Sequence, residues 1–423
     1  MLYKVEDDQG TEKRISRIKD VTNRLISFQR ALDLTLNRTS PLETIVIPVS
    51  ESSDYIAADN VTAVVDSPSV NVSMKDGYAV RSVEIAGASS QSPVRLALLG
   101  ITAAGQKPPY AVEPGTAVRI LTGAEIPKGA DTVVAEEFTA RVGNTVTINR
   151  KAEPGRDILL KGSDVNKDEI VINAGDKLKP GNIGLLAAGG LENVRVFHKP
   201  RVALIATGDE ILLPGQPLTE GKLYASNLLT LNAWCRKYGM MTELEVIGDD
   251  EHLLRKKLKQ AIDRHDAVIT SGGAWTGERD LIGRVLNDLG WEKIFHRVRL
   301  GPGKAVGFGI LKDKPIFILP GGPPSNLVAF LQLALPGLLR LAGHKNPKLP
   351  ETQVILQETV KGQADWTDAV FGRLENENGR TGFRPIIGKS RLSNMARAEA
   401  LLLLPVGITQ VSNGQSVNVQ LLV

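Results

Sequence analysis

The sequence predicts a multidomain protein of the α/β plus β class. It contains a central, mainly parallel α/β domain, a β-rich second domain, a small helical and extended linker module, and a C-terminal β domain. Three observations carry this reading. At 423 residues the chain is longer than one ordinary hydrophobic core organises, so two to four domains are expected. From Arg201 to Ala342, strand-length apolar runs alternate with helical periodicity, which is the pattern of a parallel sheet covered by helices. On both sides of that region, from Glu43 to Asn149 and from Glu351 onward, short β-branched runs are separated by turn residues.

The elements follow in chain order. Leu25, Ile26, Phe28, Ala31, Leu32, Leu34 and Leu36 make one amphipathic helix that stops near Ser40-Pro41. Strands are expected at Thr44 to Val49, Val94 to Leu99, Ala117 to Leu121, Thr132 to Glu136 and Thr145 to Ile148, giving a β-rich domain over 46–160. The stretch from Lys161 to Leu191 leads out of it, with a helix after Pro180, so 1–45 and 161–198 are read as one elongated module. The α/β domain, 199–343, alternates strands at Val202–Ala206, Glu243–Ile247, Ala267–Thr270 and Ile316–Leu319 with helices at Asn227–Tyr238, Glu251–Arg264, Asp280–Leu289 and Asn326–Ala342. Phe295–Leu300 and Ala305–Ile310 are expected to form a hairpin or a sheet edge around Gly301-Pro302-Gly303. After the proline-punctuated linker Gly343 to Pro350, a β domain spans 347–423.

Composition narrows the function classes. A net charge of +4 with 42% hydrophobic and 23% charged residues gives no strong pull toward nucleic acid or a membrane surface. The N-terminus lacks an apolar signal core and no apolar run is long enough to span a bilayer, so a cytoplasmic protein is expected. One cysteine excludes an internal disulfide and any multi-thiolate metal site, and Cys235 lies at helical spacing with Leu231, Trp234 and Tyr238, as a core residue would. Five scattered histidines offer no paired ligand spacing. Any metal is therefore expected to be a hard cation held by carboxylates.

Three loops directly after strands carry the candidate chemistry, because a parallel sheet binds ligands at the carboxyl ends of its strands. Thr207-Gly208-Asp209-Glu210 places two carboxylates at a strand end, where they can hold Mg²⁺, accept hydrogen bonds from a polar ligand, or cap a turn. Ser271-Gly272-Gly273 runs on through Trp275 to Asp280. Its glycines let backbone N–H groups approach phosphate oxygens, and Asp280 can hold a metal beside them or cap the next helix. Leu319-Pro320-Gly321-Gly322-Pro323-Pro324-Ser325-Asn326 is the third. Neither a Gly-Lys-Ser/Thr phosphate loop nor a Gly-x-Gly-x-x-Gly fingerprint is present. Asp249-Asp250 adds acids at another strand end, with helix capping as the alternative role. Arg297, Arg299 and Lys304 flank Gly301-Pro302-Gly303, and Lys389 with Arg391 precede Ser393, so two turns present cations to an oxyanion.

Ser73 to Val80, Arg119 to Asp131 with Val133-Val134 and Glu136-Glu137, Thr207 to Glu210, Ser271 to Asp280, Pro302-Gly303-Lys304, Leu319 to Ser325 and Ser393-Asn394-Met395-Ala396 together resemble the molybdopterin molybdenumtransferases, the MoeA proteins of bacteria and the E domain of gephyrin. The matching motifs keep the family's order from about residue 25 to the C-terminus.

The resemblance implies a homodimer of four-domain subunits with an intersubunit active site, in which the 199–343 domain binds molybdopterin. The implied reaction inserts molybdate into adenylyl-molybdopterin and releases AMP, assisted by Mg²⁺. Carried over to this chain, Glu210, Asp249 or Asp250, and Asp280 become the cleft acids, with Asp280 and Glu210 as metal ligands. Asp76 and Thr122 are offered by the β-rich domain across the dimer. Lys304, Arg373 and Ser393 bind molybdate with Arg299 nearby, the Pro320 to Ser325 turn forms the pocket floor, and Ser271, Gly272, Gly273 and Trp275 contact substrate. The chain departs from the usual family motifs at Trp275, where a small hydroxyl is usual, at Gly301, where a lysine is usual, and at Gly322 and Pro324, where asparagine and valine are usual. Trp275 either stacks on the adenine or pterin or narrows the site. Tungstate is an alternative oxyanion. An adenylyltransferase and a catalytically weak scaffold are the alternative functions, and the molybdopterin adenylyltransferase is also a candidate partner.

Overall fold

A computed structural model describes residues 25–273, 281–377, 379–387 and 391–422. They form two compact units. Of the described residues, one comprises Leu25–Ile45, Asp54–Ile56 and those from Phe197 onward, and the other comprises Val46–Ser53 with Ala57–Val196.

The first unit is built around a six-stranded sheet in the order Met241–Ile247, Arg201–Thr207, Ala267–Ser271, Lys314–Leu319, Gly307–Leu311, Glu292–His296. The first four strands are parallel and the last two antiparallel. Strand alternation sorts the side chains. Val202, Leu204 and Ala206 face one core with Leu228, Leu231 and Phe330. Ala203 and Ile205 face the other with Leu254, Leu258, Ile282 and Leu286. Burial on both faces explains why the strands read as unbroken apolar runs. Cys235 lies in the first core, and burial pushes its thiol up to about 12. The chain leaves Arg201–Thr207 to one side and returns to Ala267–Ser271 on the other, so the crevice where the order reverses opens at the carboxyl ends of these two strands.

Three expectations change in detail. The N-terminal helix begins at Phe28 with Ser27 as its N-cap, and Ile26–Ser27 before it is a strand. Phe295–Leu300 and Ala305–Ile310 do not form one hairpin. Glu292–His296 and Gly307–Leu311 pair in the α/β sheet, whereas Val298–Gly301 leaves it and pairs in parallel with Ile26–Ser27 and with Thr367–Glu377 of the C-terminal region. Arg297, in a left-handed conformation at φ 75°, sits at the changeover. The helix expected from Asn326 begins earlier, at Pro323, and continues to Leu341 through a π-helical turn at Phe330–Ala334. Pro323 and Pro324 fit its first turn because the missing N–H groups have no intrahelical partner there.

C-terminal strands Thr367–Glu377, Arg380–Pro385, Glu351–Leu356, Ser416–Leu421 and Ala400–Leu404 pair in succession, and the last returns to the first, so the five close on themselves. Closure removes the free edges that open sheets must protect. Val354, Leu356, Phe383, Leu402 and Val419 fill the interior.

The second unit holds a six-stranded sheet in the order Thr132–Ala135, Gly77–Val80, Thr116–Ile120, Val94–Thr102, Thr145–Ile148, Thr139–Val142. All neighbours are antiparallel except Val94–Thr102 with Thr116–Ile120. Gly77–Val80 is buried at every position, flanked by two strands. The segment Ser73 to Val80, which shows only turn signals in sequence, thus contains an interior strand.

Candidate functional site

Three strand-end loops of the α/β sheet stand side by side, and their glycines are needed for steric reasons. Gly272 has φ 99°, and a Cβ on it would lie 2.7 Å from the Thr207 carbonyl oxygen. Gly273, at φ 64°, would drive a Cβ to within 2.7 Å of Ile282 Cδ1. The Gly272 N–H donates to the Leu319 carbonyl at 3.1 Å, joining the second loop to the third. Asn326, 1% exposed, completes the brace: its Nδ2 donates to Ser271 Oγ at 3.0 Å and to the Pro320 carbonyl at 2.9 Å. Asn227 Nδ2 donates to the Gly321 carbonyl at 2.8 Å.

The first loop is tied back in the same way. Asp209 Oδ1 accepts from the Asp249 N–H at 2.9 Å, and the Asp209 carbonyl accepts from Lys222 Nζ at 2.6 Å. Glu210 folds its carboxylate back over Gly208, whose φ of 138° leaves no room for a Cβ: one built there would meet Glu210 Oε2 at 2.4 Å. Asp250 is the N-cap of helix Glu251–Arg264, its side chain accepting from the Leu253 N–H at 2.9 Å. Of the acids named from the sequence, Glu210 lines a cavity, Asp249 contributes its backbone N–H, and Asp250 acts as a cap. Asp280 and Trp275 lie outside the described residues.

Two cavities flank the Pro320–Ser325 turn. One, of about 610 Å³, is lined by Thr207, Glu210, Lys222, Tyr224, Ser271, Gly272, Gly321 and Arg391 among others, with Leu218, Leu223 and Leu228 supplying apolar wall. The other, of about 330 Å³, is lined by Gly301, Gly303, Lys304, Pro320, Ser325, Gln363 and Trp366. Lys304 is the cation on its wall, with Nζ 5.5 Å from the centroid of the Trp366 ring. Beside it, a Cβ on Gly301 would meet Asp368 Oδ1 at 2.6 Å, so the Asp368 carboxylate occupies the space a side chain at 301 would need. Asp368 is held there by Gln363, whose N–H donates to Oδ2 at 2.6 Å.

The remaining cations stand elsewhere. Arg299 is exposed on strand Val298–Gly301, and Arg373 is exposed on strand Thr367–Glu377 opposite Arg384; neither lines either cavity. Ser393 lies on helix Arg391–Arg397, whose first residue lines the larger cavity. Lys222, Tyr224, Asn227 and Trp366 were not singled out from sequence. The first two belong to an excursion after strand Arg201–Thr207 whose sequence carries only Pro-Gly turn signals, and Trp366 lies in the C-terminal region beyond the sheet that pointed to the site.

In the second unit, the Asp76 and Thr122 loops are coupled. Asp76 Oδ1 accepts from the Thr122 N–H and from its Oγ1, each at 2.7 Å. These two bonds, backbone first, hold the Asp76 carboxyl below the usual carboxylate range, with a smaller contribution from the Arg119 charge. The Gly123 N–H donates to the Ser73 carbonyl at 2.8 Å and Ser73 N–H to Ala124 O at 2.9 Å, so the loops are also joined by backbone. Gly77 is required beneath them, since a Cβ there would lie 2.1 Å from the Val134 carbonyl oxygen. Asp131 instead holds the fold, accepting from Ser82 N–H and Oγ at 2.7 Å each.

Known proteins are similar to this chain over most of its length. Residues 26–190 match the MoeA N-terminal region (domain I and II), 203–340 a probable molybdopterin binding domain, and 353–422 the MoeA C-terminal region (domain IV). A molybdopterin molybdenumtransferase of Nostoc sp. is 30% identical over 408 residues, covering 95% of this chain and 92% of its own. The Haemophilus influenzae molybdopterin molybdenumtransferase is 31% identical over 393 residues, covering 90% and 94%. Among solved structures, a molybdopterin biosynthesis MoeA protein of Pyrococcus horikoshii is 30% identical, with a TM-score of 0.79 over 94% of this chain and 99% of its own. Sequence, domain order and fold agree throughout, and the chain belongs to the MoeA family of molybdopterin molybdenumtransferases.

Proposed function

We propose that this enzyme of molybdenum cofactor biosynthesis inserts molybdate into adenylyl-molybdopterin and releases AMP. The observation that carries the reading is the pair of cavities on either side of the Pro320–Ser325 turn. The larger one has apolar wall, glycine loops and both signs of charge, which suits a nucleotide-linked pterin. The smaller one presents Lys304 and Ser325, which suits a tetrahedral oxyanion.

Among the described residues neither wall carries a cysteine, and the reaction runs without a covalent enzyme intermediate. An oxygen of molybdate, or of water, attacks the anhydride phosphorus. The phosphorus–oxygen bond to the pterin phosphate breaks and AMP leaves with the new oxygen, while the two dithiolene thiols lose their protons and bond to molybdenum, which gives up one oxygen, to AMP when molybdate is the nucleophile and otherwise as water. The Gly273 backbone amide and the Lys304 ammonium offset the charge that develops. Glu210 and Asp280 are assigned to Mg²⁺, which when bound neutralises anhydride charge. Among the described residues no three acidic, histidine or cysteine side chains converge as a cation site. Magnesium commonly takes one or two carboxylates and completes its shell with substrate phosphate and water. Asp76 and Thr122 are assigned to the substrate bound by a second copy of the chain, which makes the active form a homodimer. Arg299, Arg373 and Ser393 are assigned to the oxyanion as further contacts.

Incubating the protein with adenylyl-molybdopterin and either molybdate or tungstate, and following AMP by chromatography, tests this reading. AMP release with molybdate is expected. Release with tungstate alone would point to a tungstate-inserting paralogue, and consumption of ATP with molybdopterin would point to an adenylyltransferase.

A further inference from the structure

We infer that Arg391 binds a phosphoryl oxygen of the substrate's anhydride and is the residue through which the C-terminal region takes part in nucleotide binding. This deepens the proposed function and rests on it. Two cations line the larger cavity, Lys222 and Arg391. Lys222 is engaged with the Asp209 carbonyl at 2.6 Å. Arg391 is exposed, and among the described residues its guanidinium has no ion pair or hydrogen bond, so its fork of donors is available to a ligand. The one carboxylate on the same wall, Glu210, is turned back over Gly208.

Its position is informative. A Cβ built on Gly322 would lie 4.0 Å from Arg391 Nη1 and 4.0 Å from Ser325 Oγ. Ser325 lines the smaller cavity, so Arg391 stands at the turn that separates the two. A side chain longer than a methyl at 322 would compete with the guanidinium for this space. An anhydride phosphorus in the larger cavity that is attacked by an oxyanion in the smaller one lies where the two meet, beside this turn. A planar guanidinium suits two oxygens of one phosphoryl group better than an ammonium does. The helix that carries Arg391 is fixed from below, since Met395 packs against the core of the α/β domain.

Isothermal titration of the full-length protein with AMP and with adenosine separates a phosphate contact from a structural role. Arg391→Ala is expected to weaken AMP binding about 10- to 100-fold, leave adenosine binding and the unfolding midpoint unchanged, and remove part of the salt dependence; Arg391→Lys recovers part of the loss. If AMP binds the variant as it binds the parent, or if AMP and adenosine weaken equally, the assignment of Arg391 is overturned while the nucleotide reading stands. If the parent binds neither AMP nor adenosine, the nucleotide reading itself is overturned and Arg391 falls with it.

Discussion

Asp76 and Thr122 show how much one residue pair can specify. A single carboxylate oxygen receives both the N–H and the hydroxyl of Thr122, and the loop cannot reach this geometry without Gly77 beneath it. The carboxyl group is consequently easier to ionise than an ordinary aspartate. Its folded-state pKa lies below its unfolded one, so the stability it confers is complete above the unfolded value and is lost as the pH falls through the folded value. Thr122→Val removes the side-chain bond and keeps the larger backbone one. A titration of Asp76 followed by NMR is expected to move up in this variant yet stay below that of an ordinary aspartate. An unmoved titration would remove the hydroxyl from the account. Gly272 and Gly273 make the complementary point, since their left-handed φ and close contacts with Thr207 and Ile282 explain in steric terms why the motif needs two glycines in a row.

At the scale of elements, the same residue type serves different ends. Asp249 and Asp250 follow one strand, and from sequence either reads as a catalytic acid or as a helix cap. Asp250 bonds the Leu253 N–H and occupies the N-cap position, so Asp250→Ala is expected to cost about 1 kcal/mol of stability in denaturant unfolding. Unchanged stability with lost turnover would return that carboxylate to the chemistry. The periodic elements were legible because burial on two faces leaves its mark on strands such as Arg201–Thr207, and one-sided burial on helices such as Glu251–Arg264. Val298–Gly301 was legible as a strand but its partner was not, because local pattern does not say which sheet a strand joins. The π-helical turn at Phe330–Ala334 was likewise invisible, as the whole segment is buried and offers no periodic contrast.

At the scale of the molecule, the order of motifs already suggested the family, and the comparisons over the whole chain show it. The loops that follow strands were readable because glycine, proline and acid residues stand out after apolar runs. The residues that complete the cavities, Lys222, Arg391 and Trp366, were not readable as a group, since each comes from a different segment and only the fold brings it to the site. The proposed intersubunit site has a direct consequence. Co-expressed Asp76→Ala and Lys304→Ala chains, each inactive alone, are expected to recover about a quarter of parental AMP release, because half of randomly formed dimers would carry one intact site. No recovery from mixed dimers would place both residues in a site made by one chain.

We propose that cleavage is tied to insertion: whether an oxygen of molybdate or of water attacks the phosphorus, AMP is released only as molybdenum is bound. The most direct measurement of this coupling is the ratio of AMP released to molybdenum retained on the pterin in a single turnover, using adenylyl-molybdopterin and molybdate with the parental protein. The account predicts one AMP for each molybdenum inserted and no AMP without oxyanion, with both products falling together by about 100-fold in Lys304→Ala. AMP released at full rate in the absence of molybdate, or molybdenum inserted while the anhydride stays intact, would contradict it.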